Sequence, residues 1–304
     1  MSSNSAALHR KGLLITAIGG LALSFDIPLI RSSHGEVWSV LAVRSFATFF
    51  AALAAWSVLR FLFRRRISLV PGPVGLLVGS LYGINSLTFM LAVFNTSTAN
   101  VVFILAFTSM FAALLSWIFL RERPSNATLL TMAAMLAGVA LIVHDGLESG
   151  NIFGDAMACC SAFLLASAIT ISRRSGQDMG FVPLVTAILP GIAALALLPS
   201  GGLEIARPGF ILFNGLVMIP LAFWCLATGP RYLSGPEVGM FYLLETVLAP
   251  IWVWIVFSET PSPQTLIGGS ILIVALLAHS LWQMGTKARA ARRQDAAAEF
   301  PFTG

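Results

Sequence analysis

The sequence predicts an all-α integral membrane protein, with ten transmembrane helices arranged as two inverted five-helix repeats. Three observations predict it. Of the 304 residues, 57% are hydrophobic and only 10% charged, against about 25% charged in ordinary soluble domains. The apolar residues fall in long runs. An α-helix rising about 1.5 Å per residue needs roughly 20 of them to cross a hydrocarbon core of about 30 Å. Windows near 11–31, 36–60, 73–94, 98–120, 126–144, 151–172, 181–199, 208–229, 235–257 and 263–284 meet that need. Third, the chain repeats itself. Ser97–Leu129 laid over Ser234–Leu266 is identical at ten positions, including Trp117/Trp254, Glu122/Glu259, Pro124/Pro261, Ser125/Ser262 and Thr128/Thr265.

Charge fixes the threading. With ten helices and the N-terminus inside, 15 of the 18 Lys and Arg residues fall at inner ends, Arg31 and Arg207 fall outside, and Arg44 lies within the second helix. Such a bias is the positive-inside signal, and one helix more or fewer would scramble it. The net charge of +5 therefore reports topology, not nucleic-acid binding. Because five is odd, the second repeat enters the membrane from the opposite side to the first.

Each element has its own signals. The first window follows His9-Arg10-Lys11, a signal-peptide-like start. It lacks a small-residue cleavage site and is read as a retained span ending at Asp26-Ile27-Pro28. The second carries Arg44. The third carries Gly75, Gly79 and Gly83, a small-residue ridge that lets another backbone come close. The fourth ends in the acidic Pro-Ser turn that recurs after the ninth. The acidic loop His144–Asp155 separates the repeats, and the sixth window opens as the first does, Gly154–Arg173 resembling Gly12–Arg31. Pro28, Pro190, Pro220 and Pro250 are positioned to bend the first, seventh, eighth and ninth helices. Ser234-Gly-Pro-Glu237 reads as a capping box for the ninth, and Ser262-Pro263 as the start of the tenth. Trp38, Trp117, Trp252 and Trp254 lie toward helix ends and are read as interfacial anchors. The division expected is 1–147 for the first repeat, 148–285 for the second, and 286–304 as a disordered cytoplasmic basic tail.

Leu120-Arg-Glu-Arg-Pro124, Phe257-Ser-Glu-Thr-Pro261, Arg44-Ser-Phe46 and Gly154-Asp-Ala-Met-Ala158 together resemble the drug/metabolite transporter superfamily, EamA type. The resemblance covers residues 10–285 and is nearest to the YddG-type exporters of aromatic and other amino acids. It implies ten helices in two inverted repeats and export of small metabolites across the bacterial inner membrane without ATP hydrolysis. The charge threading above makes the chain a multi-pass protein with both termini expected in the cytoplasm.

Three ionisable side chains fall within spans, where a charge costs several kcal/mol and needs a reason. Asp26 and Arg44 sit at depths that let them meet, as a pair locking two helices or as an outer gate in which Arg44 takes a substrate carboxylate. Glu245 lies eleven residues into the ninth helix, near the midplane. At a depth where the sequence shows no basic partner, it is a candidate to bind a substrate ammonium, carry a proton, or act as a protonated clamp. Its repeat counterpart is Thr108. Tyr82, Asn85, Ser86 and Phe89 share a face of the third helix at i, i+3, i+4 and i+7. With Phe223 and Trp224 after Pro220, and with Tyr242 one turn before Glu245, they form a candidate substrate pocket. The same residues also suit core packing, with Asn85 and Ser86 bonding a neighbouring helix.

Other classes fit less well. His9, His34, His144 and His279 are scattered, and no His-Glu-x-x-His or phosphate-cradling Gly-Lys-Ser/Thr sequence occurs. Cys159, Cys160 and Cys225 lack metal-ligand spacing. No catalytic residue, metal or cofactor is expected. An intramembrane enzyme or a nucleotide-sugar carrier on the same fold remains the alternative. The expected partners are an amino-acid-like solute and the lipid bilayer, with no nucleic acid and a monomer as a plausible state.

Overall fold

The computed structural model describes residues 3–299 apart from 64–67, 122, 178, 229–231 and 233–234. Side chains of 3–7, 9, 120, 145–149, 227–228, 235–240, 242–243, 283 and 287–299 also lie outside the description. Among the described residues the chain is helical, with one isolated antiparallel bridge between Gly35 and Ile205. Eight stretches are long and apolar enough to cross a membrane: α1 (Arg10–Ser32), α2 (Val37–Leu62), α3 (Gly72–Asn95), α4 (Thr98–Phe119), α5 (Asn126–His144), α6 (Ile152–Ser175), α8 (Pro208–Leu226) and α10 (Pro263–Thr286). Two further apolar helices, α7 (Val182–Ala196) and α9 (Gly235–Phe257), complete the positions that the ten windows marked.

The prolines account for most interruptions. A proline removes one N–H and crowds the carbonyl four residues earlier. Four before Pro28 is Ser24, and α1 breaks at Phe25. Four before Pro190 is Thr186, where α7 divides into Val182–Val185 and Ile188–Ala196. Four before Pro220 is Leu216, inside a π-helical turn at Asn214–Met218. Pro250 lies within a continuous α9. α4 also turns at Ala106–Phe107, without a proline.

Helix starts follow the duplicated chemistry. Ser97 Oγ accepts the Asn100 amide at 3.1 Å, Ser125 Oγ that of Thr128 at 3.2 Å, and Ser262 Oγ that of Thr265 at 3.1 Å. The repeated Pro-Ser-x-x-Thr is therefore an N-cap for α5 and again for α10. The capping box expected at Ser234 and Glu237 lies outside the described residues.

Packing repeats as the sequence does. α3 lies along α6 and α1 along α8; α4 crosses α6 and α9 crosses α1; α2 meets α7 and α5 meets α10. Replacing each helix of the first five by the one five places later, and the reverse, returns the same pairs, as two inverted repeats require. Glycines permit the closest approaches. A Cβ on Gly20 would strike the carbonyl oxygen of Phe241, bringing α1 and α9 together, and one on Gly138 would lie 2.8 Å from the carbonyl oxygen of Gly268, where α5 meets α10. The ridge on α3 faces α7, since a Cβ on Gly79 would strike Thr186. The last helix continues to Glu299. That extension past residue 286 is in keeping with its Ala, Arg and Lys content.

Candidate functional site

The polar centre of the bundle is built where α1 breaks. Disruption at Phe25 starts a new helical stretch at Asp26, and its carboxylate meets the side chain of Arg44 from α2. Arg44 Nη2 donates to Asp26 Oδ2 at 2.8 Å and to Oδ1 at 3.1 Å. Asn214, fully buried at the π-helical turn of α8, completes a triad. It accepts from Arg44 Nε at 3.1 Å and donates to Asp26 Oδ1 at 2.8 Å. Phe89 covers the guanidinium, with Arg44 Cζ 5.7 Å from its ring centroid, within cation–π range. Both charged side chains are deeply buried, 12% exposed for Arg44 and 5% for Asp26. A charge pair taken so far out of water holds only when its other hydrogen-bonding positions are satisfied too. Asn214 fills that role. Among the described residues, Arg44 Nη1 keeps no protein partner.

Glu245 lies on α9 within electrostatic reach of both Asp26 and Arg44. The basic group whose charge reaches it is Arg44, on α2; the described ion pair of Arg44 is with Asp26. Among the described residues its carboxyl makes no hydrogen bond. Asp26 holds the guanidinium, and Glu245 is a second carboxylate within its field. In the other repeat, Thr108 Oγ1 is buried with no hydrogen-bond partner among the described residues. Both repeats leave a polar group open at the same register.

The other expected pocket residues separate. Asn85 Oδ1 accepts from Ser161 Oγ at 2.7 Å, tying α3 to α6. Tyr82 packs in an apolar cluster with Val78, Ala168 and Val182. Ser86 is half-buried beside them on α3. Trp224 is 60% exposed. The next residue, Cys225, is the one that faces α1, against Gly19, and one step along a helix turns a side chain by about 100°. The Tyr242 side chain lies outside the described residues. Trp252, read as an interfacial anchor, instead points inward: its Nε1 donates to Ser24 Oγ at 3.1 Å and its ring stacks on Phe25 at 5.0 Å.

One end of the bundle is tied shut by polar contacts. Arg31, at the end of α1, pairs with Glu259 in the α9–α10 turn and donates to the carbonyls of Val93 and Thr96 at 3.2 and 2.8 Å. Glu259 accepts the Thr98 amide at 2.8 Å, placing a negative charge at the N-terminus of α4. Beside it, buried Asp155 accepts from Thr96 Oγ1 at 2.6 Å and from Asn100 Nδ2 at 3.2 Å, and Asn100 Oδ1 accepts from Thr265. Sequence reasoning missed Asn214, Arg31 and Glu259 as a working set. The signals present were an asparagine inside the apolar run Phe210–Ile219 and the retention of a glutamate in both repeats, Glu122 and Glu259.

The chain matches the EamA-like transporter family over residues 10–144 and again over 152–281, one match on each five-helix half. Among curated proteins, the uncharacterized transporter YdfC of Bacillus subtilis (strain 168) is 26% identical over 188 residues, which are 59% of this chain and 61% of that protein. The chain thus spans about three-fifths of that relative's length. A solved crystal structure, described only as that of a protein, superposes with a TM-score of 0.61 at 18% identity over 90% of this chain and 99% of its own. That likeness shows a shared fold.

Proposed function

The chain belongs to the EamA-like transporter family, and from that premise we propose that it is a secondary transporter exporting amino acids, aromatic ones included, across the bacterial inner membrane. One observation carries this reading: Glu245 is a second intramembrane carboxylate whose charge interacts with the buried Asp26–Arg44 pair. A site with one acid in excess attracts a cationic group, and an intramembrane acid beside a polar cluster marks a substrate or ion path. The substrate ammonium binds Glu245. Its carboxylate takes the open Nη1 of Arg44, and Phe89 covers the apolar body.

With the chain divided into repeats 1–147 and 148–285, this site draws on both halves, as binding sites of inverted-repeat transporters do. Alternating access then exposes it to each side in turn. The distribution of Lys and Arg supports cytoplasmic termini and an Arg31–Glu259 end facing outside, a reading in which this conformer is closed to the exterior.

Counterflow in proteoliposomes tests the reading. Vesicles preloaded with an unlabelled amino acid should take up the labelled one. A panel of amino acids that produces no exchange in folded protein would overturn it.

A further inference from the structure

A second space lies about 10 Å toward the Arg31 end from Glu245, by the rise over the seven residues to Trp252. It is a cavity of about 470 Å³ between α1, α8 and α9, walled by Phe25, Phe210, Trp252 and Phe257, with His34 and Arg207 at its rim. Its floor is the Phe25–Trp252 stack, 5.0 Å between centroids and inclined by 15°. Phe25 is the residue at which α1 breaks, directly before Asp26. Trp252 shares a face of α9 with Glu245, two turns on. The stack thus lines the cavity and is joined along the chain to the charged centre.

Rim and walls differ in kind. Among the described residues the Arg207 guanidinium makes no hydrogen bond or ion pair, and His34 uses only Nδ1, on the Ser32 carbonyl at 2.9 Å. Another cavity, about 320 Å³ between α2, α7 and α8, is lined by apolar side chains from Ala42 to Leu216, as suits an acyl chain. The first pairs aromatic walls with two basic groups, the chemistry that receives a carboxylate bearing an apolar body.

We propose that this cavity is a release vestibule: a second site for amphipathic carboxylates, with the carboxylate on Arg207 and the side chain against Trp252, reached when Phe25 swings off the indole. The proposal rests on the transport reading above. The flexible point is local, because the Ser24 carbonyl faces Pro28, which has no N–H to give it, and Ser24 Oγ holds the Trp252 indole.

The test introduces Ser32→Cys, on the cavity wall, after replacing Cys159, Cys160 and Cys225 by serine. Alkylation by a charged maleimide is followed in phosphatidylcholine nanodiscs, with L-phenylalanine as the probe and glycine as the control without an apolar body. Phenylalanine at about ten times its Kd should slow alkylation about tenfold by occupancy, and glycine should not. Protection should persist with Glu245→Gln and vanish with Arg207→Gln. Protection lost with Glu245→Gln but kept with Arg207→Gln assigns the effect to the central site and overturns the proposal. So does a rate that responds to added phosphatidylglycerol and not to phenylalanine, which makes the cavity a lipid site. Phenylalanine counterflow in matched proteoliposomes separates the two levels: transport without protection overturns the vestibule alone, and absent transport overturns the reading of function beneath it.

Discussion

Arg44 Nη2 reaches both carboxylate oxygens of Asp26, at 2.8 and 3.1 Å, across the contact between the first two helices. This pair sets the electrostatics of the bundle centre, because both side chains are deeply buried and Asn214 bonds to each of them.

Removing one partner of such a pair strands the other. Asp26→Asn should destabilise the folded protein by about 3–5 kcal/mol, read as a lowered midpoint in thermal unfolding in detergent. Adding Arg44→Gln to Asp26→Asn should restore part of the loss, since no bare charge remains. A double variant less stable than Asp26→Asn alone would contradict the pairing as the source of the effect.

The Arg31–Glu259 contact joins the end of α1 to the α9–α10 turn and caps α4. Glu259→Ala removes both the pair and the cap, together worth about 1–2 kcal/mol, or about 5–30-fold in a local opening equilibrium. Hydrogen exchange over residues 98–104 should accelerate by that factor while α5 stays unchanged. Unaltered exchange at Thr98 would show that the contact does not hold this end shut.

Gly138 and Gly268 let α5 and α10 touch backbone to backbone. Gly268→Ala should cost about 1–3 kcal/mol through overpacking. Gly209→Ala, with nothing within 4 Å of the added Cβ, serves as the comparison and should leave the unfolding midpoint unchanged. Equal midpoints for the two variants would argue against a tight crossing.

Much of the fold was legible because its cues are local. Apolar length marks a span, and Ser125 and Ser262 show where α5 and α10 begin. Proline positions marked the breaks near Ser24 and Thr186, since the clash falls a fixed four residues back. The site was legible only in part. Depth along a helix brought Asp26 and Arg44 together, but rotation about the axis decides which face a residue presents. That is why Asn85 ties to Ser161, Trp224 is exposed, and Trp252 turns inward to Ser24. Asn214 was hidden because a lone buried amide has no spacing pattern. Its role appears once Pro220 loosens α8 into a π-helical turn.

The most direct test of the account is amino-acid counterflow by wild-type protein and Glu245→Gln in matched proteoliposomes at several pH values. Gln keeps the shape and hydrogen-bonding capacity and removes the charge. If Glu245 holds the substrate ammonium, the lost charge-assisted bond is worth about 1.5–3 kcal/mol, so apparent affinity for zwitterions should fall about ten- to a hundredfold with stability preserved. Wild-type affinity and pH profile in Glu245→Gln would remove this carboxylate from the mechanism.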